Sequence, residues 1–340
     1  MRTVLAGIDE AGYGPLLGPL CIGMSVMSVR QESLEASVPN LWKLLESGVC
    51  REPGRSGERD SQGRIAVADS KALKLANSVK STHPLIHLER GVLSFLGLGQ
   101  AAVLDDATLF EALGAARPGH RAYAGAPTPL PVAMSAGELG ICVNMVRRAC
   151  ERAGAVPELM RCRVVDESEF NRIIASTGNK AETTAGAVGE HLRALWEAYG
   201  ATEHAGLPSR LGVVCDRLGG RASYAGLLER ELPGTSVEVI EETESRSRYV
   251  VTGDGRRAGV SFMIEGESAH LPVALASMIA KYVRELLMKR FNDWYCATYR
   301  DERGADLKPT AGYALDARRW LDDVGETMTR ADRAELVRRA

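Results

Sequence analysis

The sequence has no run of about 18 apolar residues, the least that crosses a bilayer as a helix, and it opens on a strand-like stretch with no basic region and apolar core ahead of it. Neither a membrane span nor a signal peptide is expected, and a cytosolic, cytoplasmic protein with no membrane partner is the reading. Its seven cysteines are odd in number, scattered, and free of any Cys-x-x-Cys pair. That argues against a disulfide framework and against a zinc ribbon. There is no Gly-x-Ser-x-Gly elbow, no Walker A loop and no dinucleotide fingerprint following a strand, which speaks against serine hydrolases and nucleotide-driven enzymes. Charge of one sign is lacking too, since the formal net charge is -2. A nucleic acid would therefore have to be met by a local basic surface, because phosphate neutralisation supplies most non-specific affinity. Arg217 with Arg221, Lys281 with Arg284, and Lys289 with Arg290 are the candidates, each of them equally a solvated helix face.

What is present is an ordinary globular composition, 45% hydrophobic and 25% charged over 340 residues, enough for one large or two small domains. The most informative stretch lies at the start. Val4, Leu5, Ala6 and Ile8 read as a strand that ends in two adjacent acids, Asp9 and Glu10, followed by Ala11-Gly12-Tyr13-Gly14-Pro15. Strand neighbours point to opposite faces, so both acids serve one site only where the strand ends or bends. Gly12 and Gly14 permit the bend. An isolated acid pair of this kind is by default a solvated turn; the rest of the chain has to supply partners.

Residues 20–29 form a second apolar strand, close enough to be an antiparallel hairpin partner. Residues 33–46 have helical spacing, 48–63 read as a mobile loop, and 65–68 as a short strand ending at Asp69-Ser70-Lys71. Helices are expected over 83–99, 105–114 and 135–153, with a Pro/Gly-rich connection at 117–131. His83 and His87 are four apart but flank Pro84 and lack the acid of a His-Glu-x-x-His site, so no metal is expected there. A strand at 161–165 leads into a helix over 167–198, and an apolar strand at 211–215 then ends at Asp216. A strand reached through a helical crossover runs parallel to its neighbour, which would carry Asp216 to the sheet edge that holds Asp9 and Glu10. Beyond a helix at 221–232, strands are expected at 237–240, 248–251 and 258–264, the last two a hairpin around Gly253-Asp254-Gly255. The longest helical pattern covers 271–297, with Ser277, Lys281 and Glu285 on one stripe. Helices at 316–324 and 329–339 follow.

Four blocks, in this order, resemble the ribonuclease HII family (type 2 ribonucleases H): Ile8 through Leu20, Asp69-Ser70-Lys71, the helix from Ala274 through Met288, and Thr310-Ala311-Gly312-Tyr313-Ala314. The resemblance implies an α/β ribonuclease H-like fold, a central mixed five-stranded sheet with helices on both faces, extended by a helical insertion and by C-terminal helices. Divided accordingly, 1–84 and 161–300 form the core, 85–160 the insertion and 301–340 the extension. It implies a metal-dependent endonuclease that hydrolyses the RNA strand of RNA/DNA hybrids, or acts on ribonucleotide-containing DNA, by a two-metal mechanism. Asp9, Glu10, Asp216 and Glu285 would be the catalytic, metal-ligating acids, holding Mg²⁺ or Mn²⁺, hard ions that take oxygen ligands. Gly12, Tyr13 and Gly14 would lie along the scissile nucleotide, Tyr313 against a sugar, and Ser70, Lys71, Lys281 and Arg284 along the substrate. The chain departs from the family in Tyr13 for a basic residue, Glu285 and Glu267 for aspartates, Ala269 for a residue that is often Lys, and Thr310-Ala311 for His-Lys. These losses touch phosphate and sugar recognition while the acids are chemically retained. The competing expectation is a catalytically altered ribonuclease H-like protein that binds nucleic acid or a protein partner.

Overall fold

In the computed structural model, which describes residues 1–33, 37–54, 63–79, 81–99, 103–204, 206–219, 221 and 223–339, the apolar opening stretch is strand β1 (Arg2–Ala11). It pairs antiparallel with β2 (Leu20–Arg30), Asp9 lying opposite Gly23. The helix expected over 33–46 is only the single turn α1 (Leu41–Leu44): Pro39 disfavours helical backbone at the residue before it, and the extended Asn40 caps the turn by accepting from Lys43 N. Residues 34–36 of that expected helix and 55–62 of the expected loop lie outside the described residues. Short strands β3 (Val49–Cys50) and β4 (Ile65–Ala66) pair with each other, and α2 (Ser70–Leu73) starts at Asp69, whose carboxylate accepts from Lys71 N.

Helices α3 (Ile86–Leu96), α4 (Asp106–Ala112) and α5 (Ala136–Ala153) occupy the expected places, the latter two opened by capping boxes. The following strand, β5 (Ala155–Val165), starts six residues earlier than expected and pairs with β2, so the last residues of 85–160 belong to the sheet. Instead of one helix over 167–198 there are two, α6 (Glu167–Thr177) and α7 (Ala181–Tyr199). The chain turns between them at Gly178, whose φ of +65° suits glycine and ends α6. A two-residue arm, β6 (Glu203–His204), precedes β7 (Leu207–Asp216); α8 (Ala225–Glu231) and the meander β8 (Ser236–Glu242), β9 (Arg246–Gly253), β10 (Arg256–Met263) follow. One turn, α9 (Gly266–Ala269), leads into α10 (Leu271–Arg303), and α11 (Ala314–Val324) and α12 (Arg330–Leu336) complete the set.

The sheet runs β5-β2-β1-β7-β10-β9-β8, with β6 beside β7. β1, β7 and β10 are parallel, and the other pairings are antiparallel. The fold is thus the expected mixed α/β sheet with helices on both faces. It is wider than the expected five strands because β9 and β8 continue the antiparallel meander from β10. Val4, Ala6 and Ile8 face a core shared with α7 and α8, while the opposite core gathers α3, α4, α5 and α10.

Two glycines decide how closely α10 approaches the sheet. A Cβ on Gly7 would stand 2.1 Å from the carbonyl carbon of Pro272, and one on Gly23 would stand 2.1 Å from the carbonyl oxygen of Ala276. Ser25 Oγ fixes the same crossing by donating to the Pro272 carbonyl at 2.7 Å. The helix backbone therefore lies directly on β1 and β2, and short side chains on α10 can touch strand residues. Among the described residues no helix is long and apolar enough to cross a membrane.

Candidate metal centre and its surroundings

Because β1, β7 and β10 are parallel, their C-terminal ends share one edge of the sheet, the edge at which open α/β sheets collect ligands. Asp9 and Glu10 end β1, Asp216 ends β7, and Glu267 follows β10 on α9. Asp9 has the strand parity of Gly7 and points to the α10 side. Glu10 has the parity of Ile8 and points to the α7 side, where it lines a small cavity with Tyr13, Ala181, Thr184 and Leu218. At the strand end the two still converge: one carboxylate oxygen from each of Asp9, Glu10 and Asp216 lies within 4.8 Å of the others.

The electrostatics are those of anions packed without enough counter-charge. Burial and then the charges of Glu10 and Asp216 hold the Asp9 carboxyl well above the usual carboxylate range, against the opposing hydrogen bond from the Ser277 hydroxyl. Burial followed by Asp216 pushes Glu10 up to about 7, and burial followed by Glu267 pushes Asp216 up to about 6. Lys71 is the cation that these acids share. Burial works against its charge, but Asp69, Asp9, Asp216 and Glu267 together overcome this and raise it. Ser277, the hydroxyl that bonds Asp9, is buried and lies 2.9 Å from Ser70 Oγ, which ties α2 to α10 beside the site. The Glu10 amide donates to Asp9 Oδ1 at 2.7 Å, which fixes the turn of the strand end.

Glu285 is not brought to this cluster. Its carboxylate lies 2.7 Å from Lys281 Nζ and 4.0 Å from Lys74 Nζ. It stands eight residues beyond Ser277, about 12 Å further along the helix at 1.5 Å per residue. A further acid whose charge acts on Asp216 and Lys71 is Glu267, though among the described residues only Asp9, Glu10 and Asp216 converge within 4.8 Å. The signal was present in the sequence: an acid just after a strand that lies next to β7 reaches the same edge by the reasoning that selected Asp216.

The expected substrate residues divide. Gly12 takes φ +95°, and a Cβ there would meet the Arg284 side chain and the Pro19 carbonyl. Gly14 has open space around it. Tyr313 is 48% exposed, with Lys281 Nζ 5.9 Å and Arg284 Cζ 5.5 Å from its ring centre. Lys281, however, is ion-paired to Glu285, and Arg284 is fully buried, donating to the carbonyls of Leu17 (3.2 Å) and Ala311 (3.1 Å). Arg284 clamps the stretch at Leu17, just after the glycine turn, to the loop before Tyr313 and offers no charge to solvent. A second clamp was not foreseen. Buried Arg338 donates to the carbonyls of Gly12 (2.6 Å), Tyr13 (2.8 Å) and Gly18 (3.1 Å), and its guanidinium carbon lies 3.8 Å from the ring centre of Phe170.

The other expected basic pairs form no free surface. Arg290 is buried in a two-pronged bond to Asp106, Lys289 pairs with Asp293, Arg217 donates to the Arg221 carbonyl, and Arg221 pairs with Glu182.

The donor set fits a divalent cation. Hard ions take clustered carboxylate oxygens, and three carboxyls held this close, each with its proton affinity raised, lack the positive charge that would relieve them. No protein-family model matches the sequence, and no curated protein matches it. Among solved structures the chain is similar to ribonuclease H2 from Pyrococcus horikoshii OT3, at 16% identity over 100% of this chain and 93% of that one, with a TM-score of 0.45. It is similar to a chain of the PCNA:RNase HII complex from Archaeoglobus fulgidus, at 15% identity over 98% and 93%, with a TM-score of 0.38. The third comparison is Bst-RNase HIII in complex with Mn²⁺, at 15% identity over 99% of this chain and 66% of that one, with a TM-score of 0.37.

Proposed function

We propose that this protein is a divalent-cation-dependent endonuclease of the ribonuclease H type, hydrolysing the RNA strand of RNA/DNA hybrids. The observation that carries the reading is the convergence of Asp9, Glu10 and Asp216, within 4.8 Å of one another, at the shared end of two parallel strands. Phosphodiester hydrolysis needs negative charge neutralised on attacking and leaving oxygens and a water made nucleophilic near neutral pH; one or two bound Mg²⁺ or Mn²⁺ ions supply both. Asp9, Glu10 and Asp216 would hold such ions, with Glu267 as the fourth acid in the role first expected of Glu285.

The chain's own residues prepare the site. Ser277 orients Asp9 through its hydroxyl, and the Glu10 amide braces the same carboxylate. Lys71 limits the mutual repulsion of the acids until a cation arrives. Gly12 to Gly14, pinned from behind by Arg338, would run along the substrate backbone, and the exposed ring of Tyr313 would pack against a sugar. A 2′-hydroxyl read at such a backbone turn is what separates RNA from DNA.

Incubating an end-labelled RNA/DNA hybrid with the full chain tests this. Cleavage of the RNA strand is expected with Mg²⁺ or Mn²⁺, none with EDTA, and none with Asp9→Asn. Cleavage that persists in EDTA, or a hybrid left intact with either ion, sinks the proposal; tight binding without cleavage would favour the catalytically altered reading.

A further inference from the structure

Lys180, the residue that precedes α7, is a cation for which the carboxylate cluster has no use. Its ammonium lies 5.0 Å from the ring centre of Tyr13 and 5.9 Å from that of Phe170, which holds it against the glycine turn. Among the described residues it makes no ion pair, unlike Lys281 and Lys289, which pair with Glu285 and Asp293. A charge that acts on it is of the same sign: Arg338, which stacks on Phe170 at 3.8 Å. Burial and then the repulsion of Arg338 lower the affinity of Lys180 for its proton. Two cations thus flank the rings of Tyr13 and Phe170 at a spot beside the acidic edge, where the buried carboxyl of Glu167 answers the charge of Arg338. The next residue, Ala181, lines the small cavity shared by Glu10 and Tyr13, so this spot borders the acids.

An unpaired, partly buried ammonium kept next to a guanidinium is unfavourable in the free protein and becomes favourable once an anion sits on it. Arg338 is already engaged by three carbonyls, so the contact falls to Lys180. We propose that Lys180 is a substrate-binding residue that receives a backbone phosphate of the nucleic-acid strand engaged at Asp9, Glu10 and Asp216, with Tyr13 as the platform that positions its ammonium. This rests on the nuclease reading above and extends it. The positive charge missing from the turn itself, where Tyr13 stands, arrives from a separate helix.

The test is a binding measurement that needs no turnover. Fluorescence anisotropy of a labelled RNA/DNA hybrid is followed against salt concentration with Mg²⁺, using the full-length Asp9→Asn chain and the same chain carrying Lys180→Gln or Lys180→Arg. Losing one phosphate contact lowers the slope of log K against log salt by about one. Lys180→Gln should show that loss with a weakening of affinity of roughly tenfold at low salt, while Lys180→Arg keeps slope and affinity. A hybrid that binds with an unchanged slope in Lys180→Gln overturns this inference and leaves the nuclease reading standing. No hybrid binding by the Asp9→Asn chain, nor by the parent chain whether in EDTA or with a divalent cation, overturns both.

Discussion

The carboxylate of Glu285 lies 2.7 Å from the ammonium of Lys281, one turn back on the same helix, and so faces along α10 rather than toward Asp9. Glu267, on the turn before that helix, acts on Asp216 more strongly than Asp69 does. Glu285→Gln should therefore keep divalent-cation affinity and hybrid cleavage within a few-fold. Glu267→Gln should lower cleavage by about 10-fold or more, the loss typical when a group that orients or completes a metal site is removed. Parallel titrations of Mn²⁺ binding and cleavage rates compare the two, and the reverse ranking would return Glu285 to the site.

The crowded acids make stability depend on pH in a stated direction. Glu10 is pushed up to about 7 and Asp216 to about 6, while in the unfolded chain they titrate near 4. The folded form then binds more protons than the unfolded form between those values, so the contribution of the cluster is full below about pH 4 and is lost as pH rises through 6 to 7. With EDTA, thermal denaturation should show Asp9→Asn gaining on the parent chain as pH rises across that window. A divalent cation at a hundred times its Kd should restore the parent by about 2.7 kcal/mol and should do much less for Asp9→Asn.

The close seat of α10 on the sheet is a packing condition with a measurable cost. At Gly23 an added Cβ would meet backbone, the carbonyl oxygen of Ala276 at 2.1 Å, which cannot swing aside as a side chain can. Gly23→Ala should destabilise the fold by about 1–3 kcal/mol or more, read as a lower urea midpoint. By moving α10 it should also pull Ser277 from Asp9, so cation affinity should fall even where the variant remains folded.

Arg338 acts on the site from a distance. Its removal would leave the buried carbonyl of Gly18 and the half-buried carbonyls of Gly12 and Tyr13 without this donor, a cost on the order of 3 kcal/mol. Arg338→Ala should lower stability and raise the KM for hybrid more than it lowers kcat, since it loosens the glycine turn while leaving the carboxylates in place. Stability and Michaelis measurements on Arg338→Ala and Arg338→Lys check this; an unchanged KM would detach the turn from substrate binding.

Much of this was legible in local pattern. The acid-terminated strand β1, the hairpin with β2, the apolar strand ending at Asp216 and the long helix α10 all follow from residue periodicity and glycine placement, which are properties of neighbouring residues. The misreadings were local competitions as well: Pro39 overrode an apolar spacing, and Gly178 divided a helix whose periodicity carried on across the break.

The sequence by itself determined which residues can carry the chemistry, because carboxylates, glycines and strand endings are written in it position by position. Only the tertiary structure decided which of them meet. The parallel alignment of β1, β7 and β10 carried Asp9, Glu10 and Asp216 to one end of the sheet, and the seat of α10 on Gly7 and Gly23 put Ser277 under Asp9. Pairing across the fold withdrew Arg284, Arg290 and Lys281 from the surface and left Lys180 without a counter-ion among the described residues. The physical reason is that the fate of a charge depends on its partners and its distance from water, and these are set by segments far apart along the chain.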